Sequence, residues 1–223
     1  MTTPLKRPVA KRLRRSPEEA KEAILSAARE RLQRLGIEGL KITDVARDAG
    51  MSHATLLHHF GSSDEMRRAL VERMANALLA EFIGLLDDGP PDAARLGELF
   101  ARLYNGLSLE RHAQLFAWFA LAALDSPDLL ASAAKDTRPL LKALLEQMAR
   151  HNADLASAPD RARYVVLLVV SSAIGLGVAS PWLKRVKLLS SREEIGEFAR
   201  WFAEFLLADR DRGTTGDSIG EQT

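Results

Sequence analysis

The stretch DVARDAGMSHATLLHHF, residues 44–60, gathers three of the chain's five histidines, His53, His58 and His59, in a sequence without cysteine. An imidazole can ligate a metal, move a proton or meet a polyanion, and spacing separates these uses. A helical zinc pair wants histidines four residues apart on one face, with a carboxylate near by. Four residues after His53 stands Leu57, and adjacent His58 and His59 project about 100° apart on a helix. No metal or other cofactor is therefore expected. Acid–base catalysis needs a second group at a recognisable spacing, and no nucleophile or phosphate-cradling motif accompanies the histidines. What the pattern favours is a short helix presenting polar groups to a partner.

The elements around it read as helical throughout, because apolar residues recur at three and four rather than two. Ser16-Pro17-Glu18-Glu19 is a capping box with proline at the first helical position; it opens a helix over 17–35, with Ile24, Ala28, Leu32 and Leu35 on one face and Gly36 as its close. Thr43 is positioned to cap a short helix that turns Val45, Ala46 and Ala49 inward and exits at Gly50. Ser52 caps a second, 53–59, anchored by Leu56 and Phe60, while Met51 fills the space under the turn. Ser62, with Glu65 three residues on, opens a longer helix carrying Met66, Leu70, Met74, Leu78 and Phe82 to about Leu86. Two short helices joined by a glycine turn between longer ones form a helix-turn-helix. After the loop Asp87–Pro91, five helices are expected at about 92–106, 109–124, 127–153, 160–180 and 191–208, the fourth ended early by Pro181.

A hydrophobic fraction of 47% supports a packed core and excludes wholesale disorder. The net charge of +1 conceals an asymmetry: residues 1–15 hold six Lys or Arg and no acid. A cationic front on a mildly acidic body suits a polyanion at one end of the molecule. Because Met1–Arg15 is basic without an apolar run and cysteine is absent, the expected compartment is the cytoplasm.

The run ITDVARDAGMSHATLLHHFGSSDEMRRAL, residues 42–70, resembles the DNA-binding signature of tetracycline-repressor-type (TetR) transcriptional regulators. The resemblance implies an all-α fold with an N-terminal three-helix DNA-binding head containing the helix-turn-helix, followed by a helical ligand-binding and dimerisation domain. The corresponding divisions are a flexible arm over 1–15, the head over 16–62, the body over 63–208 and a flexible tail over 209–223. It also implies that Thr43 meets a phosphate and that the helix from His53 to His59 lies in the major groove. Ser52, His53, Ala54, Thr55, Leu57, His58 and His59 would then face double-stranded DNA, with Ala54 and Thr55 suited to thymine methyls. Two positions depart from the family pattern: Leu57 stands where a tyrosine is usual, and Ser63 where a lysine is usual, and both departures remove groups that grip the phosphate backbone. The basic arm is the expected compensation. Fifteen residues reach about 50 Å when extended, enough for Arg12, Arg14 and Arg15 to follow the duplex into a minor groove.

Residues 164–183, YVVLLVVSSAIGLGVASPWL, are twenty without a charge. That meets the minimum for a membrane span, although a helix buried between its own core and a twin subunit satisfies it as well. In the second case Ile174, Gly175 and Val178 would join Ile195, Phe198, Phe202 and Phe205 of the last helix in a four-helix bundle across a two-fold axis, as the resemblance also implies. Such a homodimer sets two recognition helices about 34 Å apart and reads a palindromic operator. Phe100, Tyr104, Phe116, Phe119 and Trp182 are candidate walls for a small-molecule effector, whose identity the sequence does not give. The expected function is a ligand-responsive repressor that is not an enzyme and sits on no membrane. An all-helical enzyme using histidine acid–base chemistry and a protein attached to a membrane through 164–183 are the alternatives.

Overall fold

The structure is a computed structural model that describes residues 16–109, 111–124, 127–152, 156, 159–189 and 191–213. The basic arm, with Arg12, Arg14 and Arg15, and the end of the tail lie outside the described residues. Within them the chain is helical and contains no strand: α1 (Pro17–Leu35), a 3-10 turn (Ile37–Gly39), α2 (Ile42–Asp48), α3 (His53–Phe60), α4 (Ser63–Asp87), α5 (Ala93–Leu109), α6 (His112–Leu124), α7 (Pro127–His151), α8 (Pro159–Arg185) and α9 (Arg192–Gly213).

Local chemistry explains most of these boundaries. The Ser16 hydroxyl accepts from the Glu19 amide at 3.1 Å while the Glu19 carboxylate accepts from the Ser16 amide at 2.7 Å, so the first box is complete. The second forms by half: Ser62 accepts from the Glu65 amide at 3.0 Å, but the Glu65 carboxylate turns to Arg68 at 2.7 Å. Thr43 is not a cap. The amides of Asp44 and Val45 both donate to the Lys41 carbonyl, which starts α2 earlier and leaves Thr43 exposed inside its first turn. Pro181 does not end α8, which continues to Arg185. An exposed proline forfeits one backbone bond, and the amides of Val186 and Leu188 close the helix on the carbonyls of Trp182 and Leu183. The last helix likewise passes residue 208 and holds to Gly213, with no glycine or proline between Gly196 and that end.

Two buried clusters organise these helices. The first joins Ile24 and Leu32 of α1, Val45 and Ala46 of α2 and Leu56 of α3 to Met66, Leu70 and Met74 of α4, with Leu115 of α6 inserted among them. Met51 and Phe60 pack against it, as their spacing implied. The second joins Phe100, Leu103 and Tyr104 of α5 to Val169 and Ala173 of α8 and to Ile195, Ala199 and Phe202 of α9. Gly177 of α8 permits a close crossing inside this cluster: a Cβ there would stand 2.5 Å from the Ala113 Cβ. Gly175, two residues before it, has open space around it.

The turn between α2 and α3 depends on Gly50, whose φ of +69° is left-handed. Its amide donates to Arg47 and that of Met51 to Ala46, each at 2.9 Å. A Cβ at Gly50 meets nothing within 4 Å, so substitution strains only the backbone. Gly50→Ala is expected to cost about 1 kcal/mol and to lower Tm by about 2–4 °C, with Gly50→Asn closer to the parent. A thermal melt that ranks alanine above glycine would contradict this account of the turn.

Candidate nucleic-acid interface and ligand cavity

Helix α3 carries one buried anchor, Leu56, and an exposed row of Ser52, His53, Ala54, Thr55 and His58. Leu57 and His59 are half-buried, and the His58 and His59 rings meet edge to face at 5.6 Å. The Ser52 hydroxyl accepts from the Thr55 amide at 3.1 Å and shares a 2.8 Å hydrogen bond with the Thr55 hydroxyl. Both hydroxyls thus hold the start of the helix. Thr43 is exposed on α2, and Ser63 is half-buried at the start of α4. Lys41, exposed at the entry to α2 close to Thr43, is a cation the sequence reading passed over.

The residue that holds this surface in place was also passed over. Arg31 lies on the buried face of α1, in register with Ile24 and Ala28. Its Nε donates to the Gly39 carbonyl at 2.7 Å, one terminal nitrogen to Asp48 at 2.7 Å and the other to Asp44 at 3.0 Å. One guanidinium therefore pins α1, the 3-10 turn and α2 together. The hydrogen bond from Arg31 holds the Asp48 carboxyl below the ordinary carboxylate range, against a smaller opposing effect of desolvation. A visible signal existed: an arginine on an apolar helix stripe, followed by two aspartates four residues apart on α2.

Helix α6 joins the head to the body. Gly36, at the end of α1, has φ 73° and ψ −167°, a backbone region essentially restricted to glycine. A Cβ there would lie 2.6 Å from the Gln114 Oε1 and 3.2 Å from an Arg111 guanidinium nitrogen. The Arg67 guanidinium sits 5.2 Å from the Trp118 ring centroid. Phe116 packs against both buried clusters.

Phe116 also borders a cavity of about 1020 Å³ between α4, α5, α7 and α8. Of the aromatic residues singled out from the sequence, Phe100 and Phe116 line it. Tyr104 does not: it is fully buried in the second cluster, 5.3 Å from the Phe198 ring, with its hydroxyl 3.0 Å from the Ser172 Oγ. Burial raises the pKa of that hydroxyl, with the Ser172 hydrogen bond opposing. Phe119 packs on the first cluster instead, and Trp182 is 63% exposed on the outside of α8.

Trp182 belongs to an exposed apolar row. On α8 it follows Tyr164, Leu167, Leu168 and Val178, and on α9 Trp201 and Phe205 are exposed as well. Among the residues assigned to a subunit interface, Gly175, Val178 and Phe205 are exposed, while Ile174 and Phe198 are half-buried. Ile195 and Phe202 are buried in the chain's own second cluster, because α5 packs over that side of α9. Helix α8 is long and apolar enough to cross a membrane by length and composition.

Residues 24–70 match the model of the bacterial regulatory proteins of the tetR family. The chain is 25% identical over 179 residues to the HTH-type transcriptional regulator RutR of Escherichia coli (strain K12), covering 78% of this chain and 82% of that protein. It is 26% identical over 121 residues to the HTH-type transcriptional regulator AlkX of Mycobacterium tuberculosis, covering 54% and 56%. Among solved structures, a transcriptional regulator from Rhodococcus sp. Rha1 superimposes with a TM-score of 0.59 at 23% identity, over 85% of this chain and 96% of that one. The multidrug binding protein EbrR complexed with imidazole gives 0.56 at 21% identity, over 84% and 94%.

Proposed function

We propose that the chain, whose residues 24–70 match the tetR-family regulator model, is a transcriptional regulator of that family acting in the cytoplasm as a homodimeric repressor, reading a palindromic operator through α3 and released by a small molecule. The observation that carries this reading is the exposed row Ser52, His53, Ala54, Thr55 and His58 on a short helix anchored from behind by Leu56. His53 and His58 offer a donor or an acceptor to base edges, and Ala54 and the Thr55 methyl offer apolar contact to thymine. Thr43 and Lys41 meet the phosphates on the flank. Leu57 and Ser63 bring no charge or phenol to the backbone, so Arg12, Arg14 and Arg15 supply the missing neutralisation, adding roughly −2 to −3 per arm to the logarithmic salt slope.

The apolar row of Leu168, Val178 and Trp182 on α8 and Trp201 and Phe205 on α9 is the surface for the twin subunit. Its helices bury their opposite sides, at Val169, Ala173 and Phe202, in the chain's own core, which favours a protein partner over lipid on the remaining side. EbrR is complexed with imidazole in its solved structure, and in this chain the cavity beside Phe116 is the place for an effector. Such a ligand releases the operator only if it binds one spacing of the two heads more tightly than the other.

Selection of operators from random duplexes by the purified full chain tests the reading. A two-fold symmetric consensus is expected, and recovery of no preferred sequence at low and high salt would overturn it. Against the selected site, His58→Ala is expected to relax base preference at one symmetric pair of positions, at about 1–3 kcal/mol per contact. Arg12→Ala should instead weaken all duplexes alike and flatten the salt dependence.

A further inference from the structure

We propose that the cavity takes a single-chain amphiphile with an anionic headgroup, of the fatty-acid kind. This rests on the reading of the cavity as the effector site and names the chemistry it accepts. At about 1020 Å³ the cavity stands at the top of the range for small-molecule sites, roughly 300–1,000 Å³, and most of its wall is leucine, valine and phenylalanine. A long hydrocarbon fills such a space without leaving polar groups unpaired.

The charges on the wall are of one sign. Arg138 and Lys142 of α7 and Arg161 and Arg163 of α8 border the cavity, and no carboxylate does so among the described residues. Arg138 and Lys142 are four apart and share a helix face. Lys142 lies 3.7 Å from Glu146 and Arg163 lies 3.1 Å from Asp160, in exposed pairs. Exposed pairs are weak, so a bound anion can draw those cations inward at little cost. A cationic ligand of equal size meets only like charge on the wall itself, and a neutral one makes no charge-assisted contact with it. An anionic head at α7 and α8 with its chain running toward Phe116 uses both features at once.

The test measures binding of straight-chain carboxylates from eight to sixteen carbons to the full chain, below their micelle concentrations, beside alkanols and alkyltrimethylammonium ions of equal length. Affinity for the carboxylates should rise about three- to fourfold per methylene until the cavity is filled, and exceed that of the matched cation at least tenfold. Dodecyl phosphate binding as tightly as laurate also supports an anionic head. The double variant Arg138→Ala with Lys142→Ala, both at exposed positions, should lose about tenfold for the carboxylate and nothing for the alkanol. Absence of binding by every chain, equal binding of the cation, or an indifferent double variant would overturn the inference. Operator selection run on the same preparation separates the two levels: retained operator binding without amphiphile binding sinks only the ligand assignment, whereas loss of both sinks the regulator reading.

Discussion

Arg31→Ala is expected to lower stability by about 3 kcal/mol, a fall in Tm of about 6–12 °C, and to abolish operator binding at temperatures the parent withstands. The side chain is buried and donates to the Gly39 carbonyl, Asp44 and Asp48. Its removal leaves a void beside two partly exposed carboxylates, Asp44 keeping Arg47 and Asp48 only the more distant Arg34 at 3.7 Å, and uncouples α2 from α1. Arg31→Lys should rescue little, because one ammonium cannot serve three acceptors in a planar fork. The effect carries a pH signature whose sign follows from Asp48. Its folded pKa lies below the ordinary value, so its contribution is present above the unfolded pKa of about 3.9 and is lost as pH falls through the folded one. The gap between parent and variant should therefore be full at pH 7 and shrink below about pH 4. Circular dichroism melts across that range check it; superimposable melts of the two proteins at neutral pH would remove Arg31 from its role.

The second large effect concerns assembly. Val178→Glu with Trp201→Glu places two carboxylates on the exposed faces of α8 and α9, where 48% and 56% of each parent residue is accessible in the single chain. Each chain should keep its helix content, while light scattering should report a monomer, since a carboxylate buried in an apolar interface without a partner is strongly unfavourable. With only one head per particle the two half-sites no longer bind together, and operator affinity should fall about 10²–10⁴-fold. Ile195→Glu and Phe202→Glu provide the contrast: both positions are buried within the chain, so those changes should unfold it rather than split a dimer. A double variant that scatters as a dimer and holds its operator would move the interface elsewhere.

Much of the head was readable before any coordinates, because its signals are local. Ser16, Ser52 and Ser62 mark three helix starts within three residues of the amides they cap, and Leu56 could point only inward if His53 and His58 point outward. Where partners lie far along the chain, legibility failed. Arg31 meets carboxylates 13 and 17 residues away, and charge patterning at helical spacing does not reach that far. In the body, Tyr104 and Trp182 carry the same aromatic signature, yet α5 faces α8 and α9 while the outer side of α8 is exposed among the described residues. Periodicity fixes a stripe on a helix but not which neighbour will cover it. The stripe of α9 illustrates this: Phe202 and Phe205, one turn apart, separate into a buried and an exposed residue.

Phe116 packs against the first cluster and the second and stands on the cavity wall. A descendant adapting to a new inducer could redraw the wall at Leu141 or Val165, which lie outside the first cluster, and keep its grip on its genes. On the proposed function, the same experiment at position 116 is expected to alter recognition of the inducer and of the operator in a single step, so drift there is coupled in a way that drift at Leu141 or Val165 is not.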